Sequence, residues 1–363
     1  MIRIAAIQRF LPEQSRGGVG HFTHGLCNAL QRRGHDVTVF TQDPAPRDAL
    51  YHVTRLPATR PVLKFASAPW TFAFQISKQN FSEFDIIHAQ GDDHLIPRSA
   101  PPIVRTMHGS ALAEAIYNGW QPRLAKRFFM HLYFYGCELI SAVRADALVV
   151  VSRDTARYYP KVHDVISNGI DLNHFQRENG AKSDHPTILF VGELNTRKRG
   201  KLLLEVFWQE IRHNLPEAEL WLVCPERVEG EGVRWFFAVS SEELARLYTQ
   251  AWVFCLPSSY EGFGRPYIEA LAAGTPVIAT SNPGAREVLD DGRFGLIVPG
   301  EQLGQTLCHI LTDRALREKF RELGIKRAKD YSWEKVARQY ERVYHALLEA
   351  RASSLRDATS RVS

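Results

Sequence analysis

Thr187-Ile-Leu-Phe-Val-Gly-Glu-Leu-Asn-Thr-Arg-Lys-Arg-Gly200 sets a wholly apolar run directly before a loop that is bounded by two glycines and carries three adjacent cations. Ile188-Leu-Phe-Val191 reads as a strand covered on both faces, and strands covered on both faces belong to parallel sheets flanked by helices. The same strand, loop and helix alternation extends in both directions. Upstream, strands are expected over residues 2–8, 37–41, 85–89, 103–107 and 147–152, with a helix over 21–33. Downstream they are expected over 187–191, 220–223, 252–256, 276–279 and 295–298, followed by long helical segments from 301 to about 350. A polar stretch, 176–185, separates the two series. At 363 residues the chain exceeds a single core, so two doubly wound α/β domains are expected. In open sheets of this kind ligands bind outside the carboxyl ends of the strands, which directs attention to residues just after strands.

A hydrophobic fraction of 45% and a charged fraction of 23% fit an ordinary globular chain. The formal charge of +5 suits anionic ligands or an anionic membrane surface. It does not indicate nucleic acid, because no basic tract or reader motif accompanies it. Cys27, Cys137, Cys224, Cys255 and Cys308 are odd in number and widely spaced, the pattern of buried free thiols in a reducing compartment. A strand is expected at the very start of the sequence, so no signal peptide is expected, and no run approaches the ~20 apolar residues of a membrane span. A cytoplasmic protein is expected, with peripheral contact at the inner face of the membrane as a further expectation.

Four constellations follow strands. Arg16-Gly-Gly-Val-Gly20 precedes the first helix; Gly17 and Gly18 read either as a close backbone approach to phosphate or as a plain turn. Its spacing is not that of a dinucleotide fingerprint. Thr106-Met-His-Gly109 puts His108 at a strand's carboxyl end, where it reads either as a donor to a sugar hydroxyl or an oxyanion or as a plain loop histidine. Arg197, Lys198 and Arg199 stand at a helix N-terminus, an arrangement unfavourable to cations unless an anion is present. A diphosphate is the expected anion. Glu261-Gly-Phe-Gly-Arg-Pro-Tyr-Ile-Glu269 offers two carboxylates to one ligand, with Gly262 and Gly264 leaving backbone N–H groups between them. Asp92 and Asp93 follow an N-domain strand and read as acceptor-side or structural, not as a metal-binding pair.

These motifs, with Asp85-Ile-Ile-His-Ala89, Ala145-Asp-Ala-Leu-Val-Val-Val-Ser152, Ser167-Asn-Gly-Ile-Asp171, Asn282-Pro-Gly-Ala-Arg-Glu287 and Tyr331-Ser-Trp-Glu-Lys-Val336, resemble the family 4 (group 1) retaining glycosyltransferases of the GT-B fold over almost the whole chain. The resemblance implies two Rossmann-like domains facing a central cleft: an acceptor domain over 1–172, a nucleotide-sugar domain over 173–335, and a C-terminal helix and tail, 336–363, packing back on the first. It implies that Glu269 accepts from the donor ribose, that Glu261 faces the donor sugar, and that Phe263 and Gly264 offer backbone donors. It places Lys198 on the diphosphate, Gly18 beside the same phosphates and His108 near the reacting centre. It implies a UDP- or GDP-linked sugar donor, no metal or other cofactor, and a glycan, lipid-linked or small-molecule acceptor. One departure stands out: the family's arginine after Gly192 is replaced by Glu193, so Arg197 or Arg199 is expected to compensate. Epimerase, phosphorylase and non-catalytic nucleotide-sugar-binding readings are the alternatives. Residues 120–135 mix Arg123, Lys126 and Arg127 with Phe128, Phe129, Leu132 and Phe134. They read either as a basic amphipathic helix for anionic lipid or as a core-facing helix with a solvated basic edge.

Overall fold

The computed structural model describes residues 1–12, 18–58, 68–117, 125–176 and 181–360. Gly17 and Arg16 of the first glycine loop, and Trp120 and Arg123 of the basic segment, lie outside the described residues. The chain divides into two compact units, one from Met1–Gly169 with Trp333–Ser363, the other from Ile170–Ser332.

The first unit is built on β1 (Arg3–Ile7), β2 (Asp36–Thr41), β3 (His52–Arg55), β4 (Ile86–Ala89), β5 (Ile103–Met107), β6 (Ala147–Val150) and β7 (Asp164–Val165). All pair in parallel, in the order β3-β2-β1-β4-β5-β6-β7. Helix α1 (Gly18–Arg32) packs Phe22, Leu26 and Leu30, four residues apart, into the core formed with Ile4, Val37 and Val104. The chain's last helix, Trp333–Ser360, adds Val336, Ala337, Tyr340 and Tyr344 to that same core. His88 on β4 ties it in: Nε2 meets Thr106 Oγ1 at 2.8 Å and Nδ1 meets the Tyr344 hydroxyl at 2.7 Å.

The Trp333 indole occupies a slot between two glycines. A Cβ on Gly25 would lie 2.2 Å from Trp333 Cε2, and one on Gly169 would lie 2.2 Å from Trp333 Cε3. Either methyl would have to displace the ring. Gly25→Ala should therefore destabilise the first unit by about 1–3 kcal/mol, the usual cost of overpacking. A denaturant midpoint unchanged from wild type would show that the ring relocates freely.

The second unit holds β8 (Thr187–Val191), β9 (Glu219–Val223), β10 (Val233–Phe236), β11 (Val253–Leu256), β12 (Val277–Thr280) and β13 (Leu296–Val298). These are parallel in the order β10-β9-β8-β11-β12-β13. Strands β3, β7 and β10 were not expected from the sequence. All three are sheet edges without a buried residue; β3 and β7 carry no apolar run to betray them, whereas β10 runs into the apolar Trp235-Phe-Phe-Ala-Val239. Strand order reverses between β1 and β4 in the first sheet, and between β8 and β11 in the second. Those reversals open a crevice at the carboxyl ends of the strands.

Candidate functional site

In the second unit the crevice lies beyond β8 and β11. After β8, Gly192 adopts φ +151° and its missing side chain makes room for Lys198, whose Cδ would lie 2.2 Å from a Cβ there. Lys198 Nζ then reaches the Val191 carbonyl at 3.3 Å. Arg199, at φ +51°, begins the Gly200–Val206 helix. Its Nε donates to Pro257 O at 2.6 Å and its Nη2 to Thr280 Oγ1 at 2.8 Å. Arg197 Nη1 pairs with Glu261 Oε1 at 3.0 Å, while Ser259 N donates to Arg197 O at 2.8 Å. The loops after β8 and β11 are thus fastened together by side chain and backbone.

Glu261 is 6% exposed and also accepts from Ser258 Oγ at 2.9 Å. The Phe263 ring is buried, edge-on to Tyr331. Gly264, at φ +85°, is the residue from which the Arg265–Ala272 helix starts, with proline in its first turn. Glu269 on that helix is 7% exposed; its Oε1 accepts from Arg265 Nε at 2.8 Å and its Oε2 from the Tyr248 hydroxyl at 3.1 Å. Burial, and then the charge of Glu269, push the Tyr248 hydroxyl well above its ordinary pKa, so it remains a donor. Sequence reasoning singled out neither Tyr248 nor Ser258. Ser258 follows a strand and stands three residues before Glu261, a signal that was available; Tyr248 sits inside the Ser241–Gln250 helix with none.

The first unit carries Gly18 and His108. Gly18 opens α1 and is exposed, and among the described residues none beyond its own helix and chain neighbours comes within 4 Å of a Cβ position there. His108 follows β5; its Nε2 meets Gln90 Oε1 at 2.7 Å and its ring stands edge-on to Phe22 at 4.6 Å. Burial, then the Arg105 and His88 charges, lower its pKa to about 3 against an opposing bond from Asn168. At neutral pH it therefore acts as an uncharged hydrogen-bonding ring. It lines a pocket of about 490 Å³ at the β1–β4 reversal. Asp93, behind the pocket, pairs with Arg105 at 3.0 Å with both side chains buried, the structural role anticipated for one of the two aspartates. Asp92 lines the pocket itself, and burial raises its pKa to about 6 despite Arg9 and Arg105 nearby.

Family models cover most of this architecture: one described as Glycosyltransferase Family 4 matches residues 16–174, and one described as Glycosyl transferases group 1 matches residues 173–327. The phosphatidyl-myo-inositol mannosyltransferase of Mycobacterium tuberculosis is 26% identical over 365 residues, spanning 91% of this chain and 93% of its own. Sucrose-phosphate synthase from Thermosynechococcus elongatus superposes with a TM-score of 0.74 at 23% identity, over 96% of this chain and 100% of that one. Anabaena HepE in complex with UDP-glucose gives 0.71 at 14% identity, over 95% and 100% of the two chains. At such identities the two structures share the fold. With the two family models running in sequence through both units, the chain belongs to family 4, group 1 of the glycosyltransferases and is a nucleotide-sugar-dependent hexosyltransferase of the GT-B fold.

Proposed function

We propose that the enzyme transfers a hexose from a UDP- or GDP-linked donor to an acceptor hydroxyl with retention of anomeric configuration and without a metal. The second unit holds the donor and the first unit's pocket takes the acceptor. The observation that carries this reading is the fastening of the β8 and β11 loops, which puts Lys198 and Glu261 at one strand reversal. The leaving group is a nucleoside diphosphate, so the barrier falls when a cation and backbone N–H groups meet the charge on the departing oxygen. HepE with UDP-glucose supports a uridine donor, and the mycobacterial relative's name supports mannose as another choice of donor sugar. Calorimetric titration with UDP and GDP, followed by turnover in excess EDTA, tests donor class and metal independence together.

Two substitutions separate the roles of the carboxylates. Glu269→Ala should raise the donor KM with little change in kcat, because ribose contacts persist from ground state to transition state. Glu261→Ala should lower kcat, because contacts at the sugar tighten as charge develops. An unaltered donor KM in Glu269→Ala would remove the ribose assignment.

Cytoplasmic placement at the membrane's inner face forms part of the proposal. Among the described residues no helix is long and apolar enough to cross a membrane. Helix α4 (Ala125–Arg144) packs Tyr135, Leu139 and Ala142 on the core with Met107, Leu148 and Val150, and leaves a second set of apolar residues exposed. Phe129, Tyr133, Gly136, Ile140 and Val143, spaced four, three, four and three apart, form its exposed stripe. Its opposite side sends His131, Cys137, Glu138 and Ser141 to the pocket. Trp70 and Phe74 of α2 (Ala68–Ser77) extend the exposed apolar surface, and Trp70 Nε1 donates to the Tyr133 hydroxyl. The sequence from 118 to 137 carries Arg123, Lys126 and Arg127 and no acidic residue, so an anionic bilayer is the complementary partner. Phe129→Glu with Val143→Glu should abolish co-sedimentation with anionic vesicles while donor hydrolysis persists. Failure of the parent enzyme to sediment at low salt, or a stripe-dependent dimer by light scattering, would count against the lipid assignment.

A further inference from the structure

The loops after β8 and β11 in the second unit carry Arg197, Lys198 and Arg199 on one side and Arg265 on the other. Two of these cations are committed to the protein. Arg199 joins Pro257 O to Thr280 Oγ1, and Arg197 pairs with Glu261. Lys198 Nζ meets one carbonyl. Position 193, where the family resemblance calls for a second cation on the diphosphate, is an exposed glutamate. Arg265 is only half committed. Its Nε donates to Glu269 Oε1 at 2.8 Å, and among the described residues its Nη1 and Nη2 make no hydrogen bond. The side chain is 33% exposed, whereas Phe263, Tyr267, Ile268 and Glu269 around it are buried.

Helix stability does not account for this arginine. Arg265 is the first residue of its helix, where a cation opposes the helix dipole. A cation placed four residues before a glutamate is also the weaker order of such a pair. Nor does Glu269 lack another partner, because the Tyr248 hydroxyl donates to its Oε2 at 3.1 Å. The guanidinium is a rigid planar fork, so its Nη groups stand beside the Nε that is fixed on Glu269. Glu269 is the carboxylate assigned to the donor ribose, and the group that a nucleotide ribose carries next to its ring is a phosphate. We propose that Arg265 is a donor-binding residue: its Nε stays on Glu269 while its Nη groups take the phosphate attached to the ribose. Arg265, rather than a residue of the 192–200 loop, is then the second cation on the diphosphate, beside Lys198. The assignment rests on the donor reading of this site.

The test titrates the full chain with UDP and GDP, then with the monophosphate and the 2′-deoxy diphosphate of whichever base binds. Arg265→Gln keeps an amide donor for Glu269 and removes the charge and the fork. It should weaken the diphosphate about ten-fold or more, a difference of ~1.4 kcal/mol, and the monophosphate by a similar factor. The ratio of ribo- to 2′-deoxy-diphosphate affinity should stay at the parent's value, because Glu269 still meets the ribose. An unfolding midpoint equal to the parent's separates these losses from a folding defect. Parental diphosphate affinity in Arg265→Gln would reduce the residue to a surface ion pair. An unchanged monophosphate affinity would put the contact away from the ribose phosphate, and a shifted 2′-deoxy ratio would show that the arginine acts only through Glu269. Each of these results overturns the assignment. If the parent enzyme binds neither UDP nor GDP, it is the donor reading that fails.

Discussion

Lys198→Ala is expected to lower kcat by about 10²–10³, the range for losing a transition-state donor to a developing oxyanion. Nucleoside-diphosphate affinity should fall by roughly 1.5–3 kcal/mol, the range for a charge-assisted contact. The sequence presents Arg197, Lys198 and Arg199 as a group, but the structure separates them. Arg199 is bound to Pro257 O and Thr280 Oγ1, which joins the ends of β11 and β12. Arg197 is paired with Glu261. Lys198 lies over Gly192 with its Nζ at 3.3 Å from one carbonyl, and its flexible ammonium can follow charge onto a leaving phosphate. The arginine missing at Glu193, an exposed position, therefore has no ready replacement in Arg199. Arg199→Ala should cost stability more than selective diphosphate affinity, and Arg197→Ala should act on turnover through Glu261. Initial rates and calorimetry on the three variants check this. Wild-type kcat and affinity in Lys198→Ala would reduce the loop to a solvated charged face.

What the sequence revealed and what it concealed divide along physical lines. The central strands were legible because a strand buried on both faces must be apolar at every position, as in Ile188-Leu-Phe-Val191. Edge strands face no such demand: His52-Val-Thr-Arg55 is exposed at both ends and half-buried between. The loops of the candidate site were legible because glycines at strand ends have few other uses. Gly192 and Gly264 do adopt left-handed or near-extended positive φ. Partners distant in sequence left no trace, and the bond from Tyr248 to Glu269 spans 21 residues between two helices. Helix α4 was harder to read because it has apolar residues on two sides: Tyr135, Leu139 and Ala142 pack on the core, while Phe129, Ile140 and Val143 are exposed. A mixture of aromatic and basic residues does not say which of its apolar residues the fold covers.

Gly284→Ala is expected to reduce turnover by about 10²-fold while leaving nucleoside-diphosphate affinity nearly intact. In Asn282-Pro-Gly-Ala-Arg-Glu287, Asn282 Oδ1 caps the Pro283–Val288 helix by accepting from Ala285 N at 2.9 Å. The helix start is pressed so closely on the Glu261 loop that Gly284 N donates to Glu261 O at 2.8 Å. A Cβ on Gly284 would lie 2.7 Å from Phe263 O and 2.8 Å from Glu261 O. Both obstacles are backbone, so no side-chain rotation relieves the clash, and the 261–263 loop has to move. Displacing a catalytic group by about 1 Å costs roughly 10²-fold in rate. Glu269 is anchored separately by Tyr248 and Arg265, so the ribose side of the site should be spared. Overpacking should also remove about 1–3 kcal/mol of stability, less than enough to explain the rate loss in a protein that remains folded at the assay temperature. Gly300→Ala is the matched control, because the nearest atom to its Cβ is a Leu202 methyl at 3.7 Å. Rates, diphosphate titrations and unfolding midpoints on both variants decide the matter. Equal turnover in Gly284→Ala and Gly300→Ala would mean that the position of the Glu261 loop does not govern the reaction.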